Sequence, residues 1–178
     1  MEFKDLQAVN AELQTMPIKG KEYATVNQRI LAFRKLFPEG TIETEMLSNN
    51  NGMCIFKATI KNGDLVLATG FAYEKEDSSY INKTSYIENC ETSACGRALG
   101  FLGLGVETSI ASAEEVTNAM NNQPLQKKDL SILVNTWTSA GGTEENLLSF
   151  CKVKKAEDIT SAMRDKVLAK LKEKEDGK

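Results

Sequence analysis

The residues best equipped for chemistry in this chain are cations set among small, apolar or aromatic neighbours. Arg97 is the only charge in the run from Thr92 to Val106, TSACGRALGFLGLGV, so it must either reach water or hold a partner. Glu91 and Glu107 flank that run and are its candidate partners within the chain; a phosphate is the alternative from outside. Lys19-Gly20-Lys21 places two cations around a glycine, with Tyr23 two residues on. Such a loop can approach a phosphate backbone closely, and a nearby tyrosine ring can stack on a base. The same pattern also suits a plain exposed linker.

Other chemistries lack their residues. The chain has no histidine, which removes Ser-His-Asp and Cys-His catalysis together with the commonest metal ligand. Cys54, Cys90, Cys95 and Cys151 form no CxxC pair, so neither a zinc site nor any other metal is expected. The acidic pairs Glu43/Glu45 and Glu76/Asp77 read as solvated strand and loop positions. A carboxylate–metal nuclease would need a convergent acidic cluster that this scatter does not supply. Gly100, Gly103 and Gly105 close an apolar run instead of opening one, and no Gly-Lys-Ser/Thr follows, so they do not make a phosphate loop. We expect no enzyme activity and no cofactor.

The elements that must position these residues are legible from periodicity. Residues 2 to 15 read as a helix ended by Pro17, with an exposed loop from Ile18 to Tyr23. A second helix is expected over Thr25 to Leu36, burying Val26, Ile30, Phe33 and Phe37 and presenting Arg29, Arg34 and Lys35 to solvent. Three alternating runs follow, Thr41–Ser48, Met53–Lys61 and Leu65–Glu74, joined by Asn51-Gly52 and Asn62-Gly63. Two Asn-Gly signals between alternating runs specify an antiparallel meander with one wet face. Cys54, Phe56, Ala58 and Ile60 point inward on the middle strand; Leu65, Leu67, Phe71 and Tyr73 share one face of the third. After a polar loop, Lys83 to Val106 reads as the central helix, capped at Thr84 or Ser85 with Glu88 following, and ending in the glycine cluster. Its small residues call for a close neighbour: a sheet, a second subunit or a ligand.

A short helix capped by Ser109 or Ser112 runs to Met120, and Asn121-Asn122-Gln123-Pro124 reads as a linker. Beyond it, Leu130, Leu133, Val134 and Trp137, then Leu147, Leu148 and Phe150, then Ile159, Met163, Val167, Leu168 and Leu171 give a small helical unit. The expected class is therefore α+β, a three-stranded meander packed with helices over residues 1–122, and a small helical tail over 123–178. The net charge of −3 is unevenly shared. Residues 1–122 carry 11 Lys/Arg against 16 Asp/Glu, whereas residues 123–178 carry 11 against 9. Nucleic-acid binding by the first part must therefore use a local patch against an unfavourable background. No apolar run is long enough to span a membrane, MEFKDLQAVNAELQ is charged and amphipathic unlike a signal peptide, and the sparse cysteines suit a reducing cytoplasm.

Taken together, KGKEYATVNQRILAFRKLFPEGTIETE, the ATGFAYE strand and SYIENCETSACGRALGFLG resemble the phage single-strand DNA annealing and binding proteins of the Erf/Sak type, which are distantly similar to eukaryotic single-strand annealing recombination mediators. The resemblance covers about residues 17–106 and is strongest at Glu-Thr-Ser-Ala-x-Gly-Arg-Ala-Leu-Gly. It implies a sheet-and-helix core that assembles into rings or filaments and holds single-stranded DNA in a basic groove, without nucleotide hydrolysis, in the cytoplasm of the host cell. On that basis Lys19, Lys21, Arg29, Lys57, Lys61, Lys83 and Arg97 are candidate backbone contacts, and Tyr23 and Tyr80 candidate stacking rings. The expected partners are single-stranded DNA and further copies of the chain, with the tail a candidate contact for a single-strand-binding protein. The acidic first part leaves a rival open: an oligomeric protein-binding module, a host-factor or defence inhibitor, on the same fold.

Overall fold

A computed structural model describes residues 2–79 and 81–176, with side chains through Glu173. Tyr80 lies outside the described residues. The fold among those residues is α+β, with seven α-helices, a three-stranded antiparallel sheet and a two-stranded one. The chain divides into two compact units at Asn118/Ala119. The division falls inside helix α4 (Ala113–Asn121).

The first unit opens with α1 (Phe3–Ala11), where the Glu2 N–H donates to the Asp5 carboxylate at 2.8 Å. The expected helix to residue 15 stops four residues early, and the expected loop 18–23 is instead a hairpin of β1 (Thr15–Ile18) and β2 (Lys21–Ala24). Its two-residue turn is Lys19-Gly20, both in the left-handed region at φ 49° and 77°. That geometry matches the twist of an antiparallel pair. Pro17 lies in β1 opposite Glu22, where a two-stranded sheet leaves every strand an edge that tolerates proline. The α1 helix is tied to the rest by Asn10, which donates to the Gly103 carbonyl at 2.9 Å and accepts from the Gly105 N–H at 3.0 Å.

Helix α2 (Val26–Leu36) starts at Thr25, whose hydroxyl accepts from the Gln28 N–H at 3.4 Å. It leads into the meander β3 (Thr41–Asn50), β4 (Met53–Asn62) and β5 (Leu65–Lys75), in that spatial order. Asn51 and Gly52 both take positive φ, as the Asn-Gly signal requires, and Asn50 pairs with Met53 around them. Cys54, Phe56, Ala58 and Ile60 are buried as expected.

The third strand departs from expectation. Gly70 and Ala72 stand opposite the buried Ala58 and Phe56, so Phe71 and Tyr73 point the other way, into solvent. A bulge beside Ile60/Lys61 leaves Leu67 packed against the core while the strand beyond it presents its small residues inward.

The reason is α3 (Asn82–Phe101), which lies across that inner face. A Cβ at Gly70 would sit 2.7 Å from the Ala94 carbonyl oxygen and 2.9 Å from the Ala98 Cα, so helix and strand meet backbone to backbone. The small residues of α3 thus have their neighbour within the chain. Cys90, Ala94, Ala98 and Leu99 are fully buried, whereas Phe101 is exposed. Ser85 takes non-helical angles, φ −144° and ψ 32°, and separates an opening turn from the main helix. At the other end the Gly103 N–H bonds the Gly100 carbonyl and the Leu104 N–H bonds the Leu99 carbonyl. With Gly103 at φ 103°, this is a Schellman stop. Phe33, Ile60, Leu99 and Leu104 are among the fully buried side chains, each stabilising the unit by roughly 1.5–3 kcal/mol. Ser112 begins α4 with a reciprocal cap: its hydroxyl accepts from the Glu115 N–H at 3.3 Å, and its own N–H donates to Glu115 at 2.9 Å.

The second unit comprises α5 (Lys127–Ser139), α6 (Glu144–Cys151), a 3-10 turn (Ala156–Asp158) and α7 (Ser161–Asp176). Leu133, Trp137, Leu147, Cys151, Ile159, Val167 and Leu171 form its core. The Trp137 indole donates to the Thr143 carbonyl at 3.0 Å, and Gly142 lies so close under the ring that no side chain fits there. Phe150 and Leu168, expected inside, remain substantially exposed.

Candidate functional site

Arg29, expected on the polar side of α2 and in a DNA groove, is fully buried. Its guanidinium donates to five carbonyls: Gly96 at 2.8 Å and Ile110 at 2.7 Å through one terminal nitrogen, and Gly105, Ser109 and Ala111 at 3.0, 3.1 and 3.4 Å through the other. It therefore fastens the loop that follows α3, which curls back across α2. Burial lowers its pKa, and the nearby carboxylates of Glu115 and Glu114 oppose that shift. Those carboxylates are held in turn: Glu114 accepts from the Val26 N–H at 3.2 Å. A Cβ at Gly100 would meet an Arg29 terminal nitrogen at 3.0 Å, so that glycine makes room for the guanidinium. In this conformation Arg29 cannot reach a phosphate.

Arg97 lies on α3 with its side chain 35 % exposed and its guanidinium 3.4 Å from Glu115, which is 18 % exposed. Neither Glu91 nor Glu107 is its partner here. Glu91 instead accepts from the Thr44 hydroxyl at 2.6 Å. The Arg97 guanidinium also sits 5.8 Å from the centre of the exposed Phe101 ring.

The other candidates fall in three places. Lys19, Lys21 and Tyr23 come together on the β1–β2 hairpin, with both lysines exposed and Tyr23 half-buried. Lys57 and Lys61 project from the outer face of β4, the side away from α3, where Lys61 is held by Glu43 at 2.6 Å. Lys83 is exposed on the opening turn of α3. The sheet separates Lys57 and Lys61 from the α3 side, so no single groove gathers the whole set.

Near that opening turn a polar network closes the inner end of the sheet. Asn82, fully buried, donates to Glu74 at 2.6 Å and accepts from Asn89 at 2.9 Å. Burial pushes the Glu74 carboxyl up, and the Asn82 bond pulls it partly back. The Cys90 thiol, on the same inner face, is pushed up to about 12 by burial and by its neighbour Cys54. These groups hold the fold together. Among the described residues no three carboxylates or thiols gather as a metal site, and no helix is long and apolar enough to cross a membrane.

What the sequence reading missed is the outer face of the sheet. Pairing sets Tyr73 beside Ile55, Phe71 beside Lys57, and Lys75 beside Met53. Phe71 is 53 % exposed and Tyr73 71 % exposed. With Met53 and Ile55 they line an open depression of about 360 Å³. The signal was the run of small residues Ala68, Gly70 and Ala72, which matches the small face of α3 and forces the aromatics outward.

A search of curated proteins finds no match. Residues 30–102 match the model of a family described as Slr1353 N-terminal dsRNA-binding domain-like, and that stretch runs from within α2 through the three-stranded sheet to the end of α3.

Proposed function

We propose that the chain is a non-hydrolytic protein that binds single-stranded DNA and promotes the annealing of complementary strands, working as a multimer in phage recombination. The observation that carries this reading is the match of residues 30–102 to a nucleic-acid-binding-domain-like family, which falls on the α2–β3–β4–β5–α3 order. The resemblance of residues 17–106 to phage annealing proteins points to the same partner class and selects single strands within it. Physically, the task needs cations along a backbone and flat rings that keep bases from pairing. The exposed lysines of the β1–β2 hairpin and the lysine-and-aromatic outer face of the sheet supply both. Multimerisation would line up such weak sites, and β3 and β5, as outer strands, each leave one edge unpaired in the three-stranded sheet. The small face of α3 no longer argues for a second subunit, because β5 and α2 fill it.

The family description favours one second reading, duplex RNA bound by shape across its minor groove. The test is an annealing assay with two complementary labelled oligonucleotides, together with binding to oligo-dT of increasing length and to duplex RNA. Faster annealing and affinity that rises with length support the first reading. Binding confined to duplex RNA, with no acceleration, replaces it with the second.

A further inference from the structure

We infer that the outer face of the β3–β4–β5 sheet is a base-stacking platform, on which Phe71 and Tyr73 each take one base of a single strand while Lys57 and Lys75 meet its phosphates. This rests on the single-strand reading above and adds to it a site on the side of the sheet opposite α3. Phe71 and Tyr73 stand two residues apart on one strand, so their rings emerge about 7 Å from each other. That spacing is roughly twice a base-stack rise and suits two bases drawn apart and no longer stacked on one another. Both rings are more than half exposed, and the apolar floor beside them comes from Met53 and Ile55.

The charge pattern decides the occupant. Lys57 is half-buried directly beside Phe71, in the middle strand and at the centre of the face, and Lys75 lies at the aromatic end. A second copy of the chain docking here would have to desolvate Lys57 in the interior of its contact, where lysine is disfavoured. A nucleic-acid strand brings that lysine a phosphate counter-ion and brings the rings a π-face each. Glu45, across β4 from Phe71, marks the side on which the strand's backbone is not expected to run.

The test uses the full chain and oligo-dT carrying 5-iodouracil. Photocrosslinks mapped by mass spectrometry are expected at Phe71 or Tyr73. Phe71→Ala and Tyr73→Ala should each weaken binding by about 5- to 150-fold while melting like the wild type, since both rings are exposed. Tyr73→Phe should keep wild-type affinity, because it keeps the ring, whereas Tyr73→Leu should behave as Tyr73→Ala does. Crosslinks confined to the β1–β2 hairpin or α3, with unchanged affinity in the variants, would overturn the platform and leave the single-strand reading standing. Variants that lose oligomeric mass but keep affinity would show that the face joins copies of the chain, which also overturns it. If the wild type binds no oligonucleotide, both readings fall together.

Discussion

Replacing Arg29 with methionine probes the least expected feature of the fold. The substitution keeps a long apolar stem but removes the terminal nitrogens that donate to Gly96, Ile110, Gly105, Ser109 and Ala111. Each buried carbonyl left without a donor costs about 1–3 kcal/mol. Four of the five contacts are only partly buried and admit water, so the sum falls well short of five full penalties. The loss of one member of a buried ionic arrangement is typically about 3–5 kcal/mol, and that is the magnitude expected here. For a unit of this size the fall in Tm is roughly 10–25 °C. Arg29→Lys should fall between, since an ammonium has three donors and no planar fork to span both arms of the loop. The assay is far-UV circular dichroism melting of the full chain, with Trp137 fluorescence following the second unit separately, because Trp137 belongs to that unit's core. A methionine variant melting within about 3 °C of the wild type would refute the view that this guanidinium fastens the loop after α3.

Three further outcomes are expected. Glu74 has a raised pKa in the fold because of burial, so its contribution favours folding below the unfolded pKa and is lost as pH rises through the folded one. Glu74→Gln, which can still accept from Asn82, should therefore raise Tm at pH 7 and converge with the wild type below about pH 4; a variant less stable at pH 7 contradicts this. Arg97→Ala should lower stability by about 0.5–1 kcal/mol, as for a partly exposed pair, and leave the salt dependence of DNA binding unchanged, because Arg97 reaches Glu115 on the α3 side of the sheet. A salt slope reduced by roughly 0.7 would instead place a phosphate on it. All four thiols are buried, and Cys90 and Cys95 are raised to about 12 and about 11 by burial first. Native protein at pH 8 should resist iodoacetamide and take up four equivalents only in denaturant, and fast labelling of Cys54 or Cys90 in the native chain, located by mass spectrometry, would show that the inner face opens.

The parts legible in the sequence were those with a strong local signal. Asn51-Gly52 and Asn62-Gly63 announced the meander, and the serines at 109 and 112 announced a start for α4 between which the structure chooses Ser112, because turn and cap chemistry is written in adjacent residues. The β1–β2 hairpin was not legible: its Lys19-Gly20 turn lacks the usual Asn or Asp, and Pro17 reads as a stop instead of a strand residue. Arg29 misled for a different reason. It lies three residues after Val26 and four before Phe33, so spacing alone puts it on the buried face; its charge argued otherwise, and only the carbonyls of a distant loop resolve the conflict. Phe71 and Tyr73 misled by size. Leu67, Phe71 and Tyr73 were expected on one face of β5, but the bulge beside it leaves Leu67 inside, and the backbone contact of Gly70 with α3 leaves no room there for Phe71 and Tyr73. The candidate cations were visible as types, yet their partition between hairpin, outer sheet face and helix depends on how the meander folds over α3, which no local pattern records.

Single-strand binding, as proposed for this chain, is read out by fluorescence anisotropy of labelled oligo-dT, titrated against blunt duplex DNA and duplex RNA across a range of salt. The chain should prefer the single strand, with log affinity falling linearly against log salt at roughly 0.7 per phosphate contact. Equal affinity for all three ligands, or no binding to any of them at low salt, would contradict it.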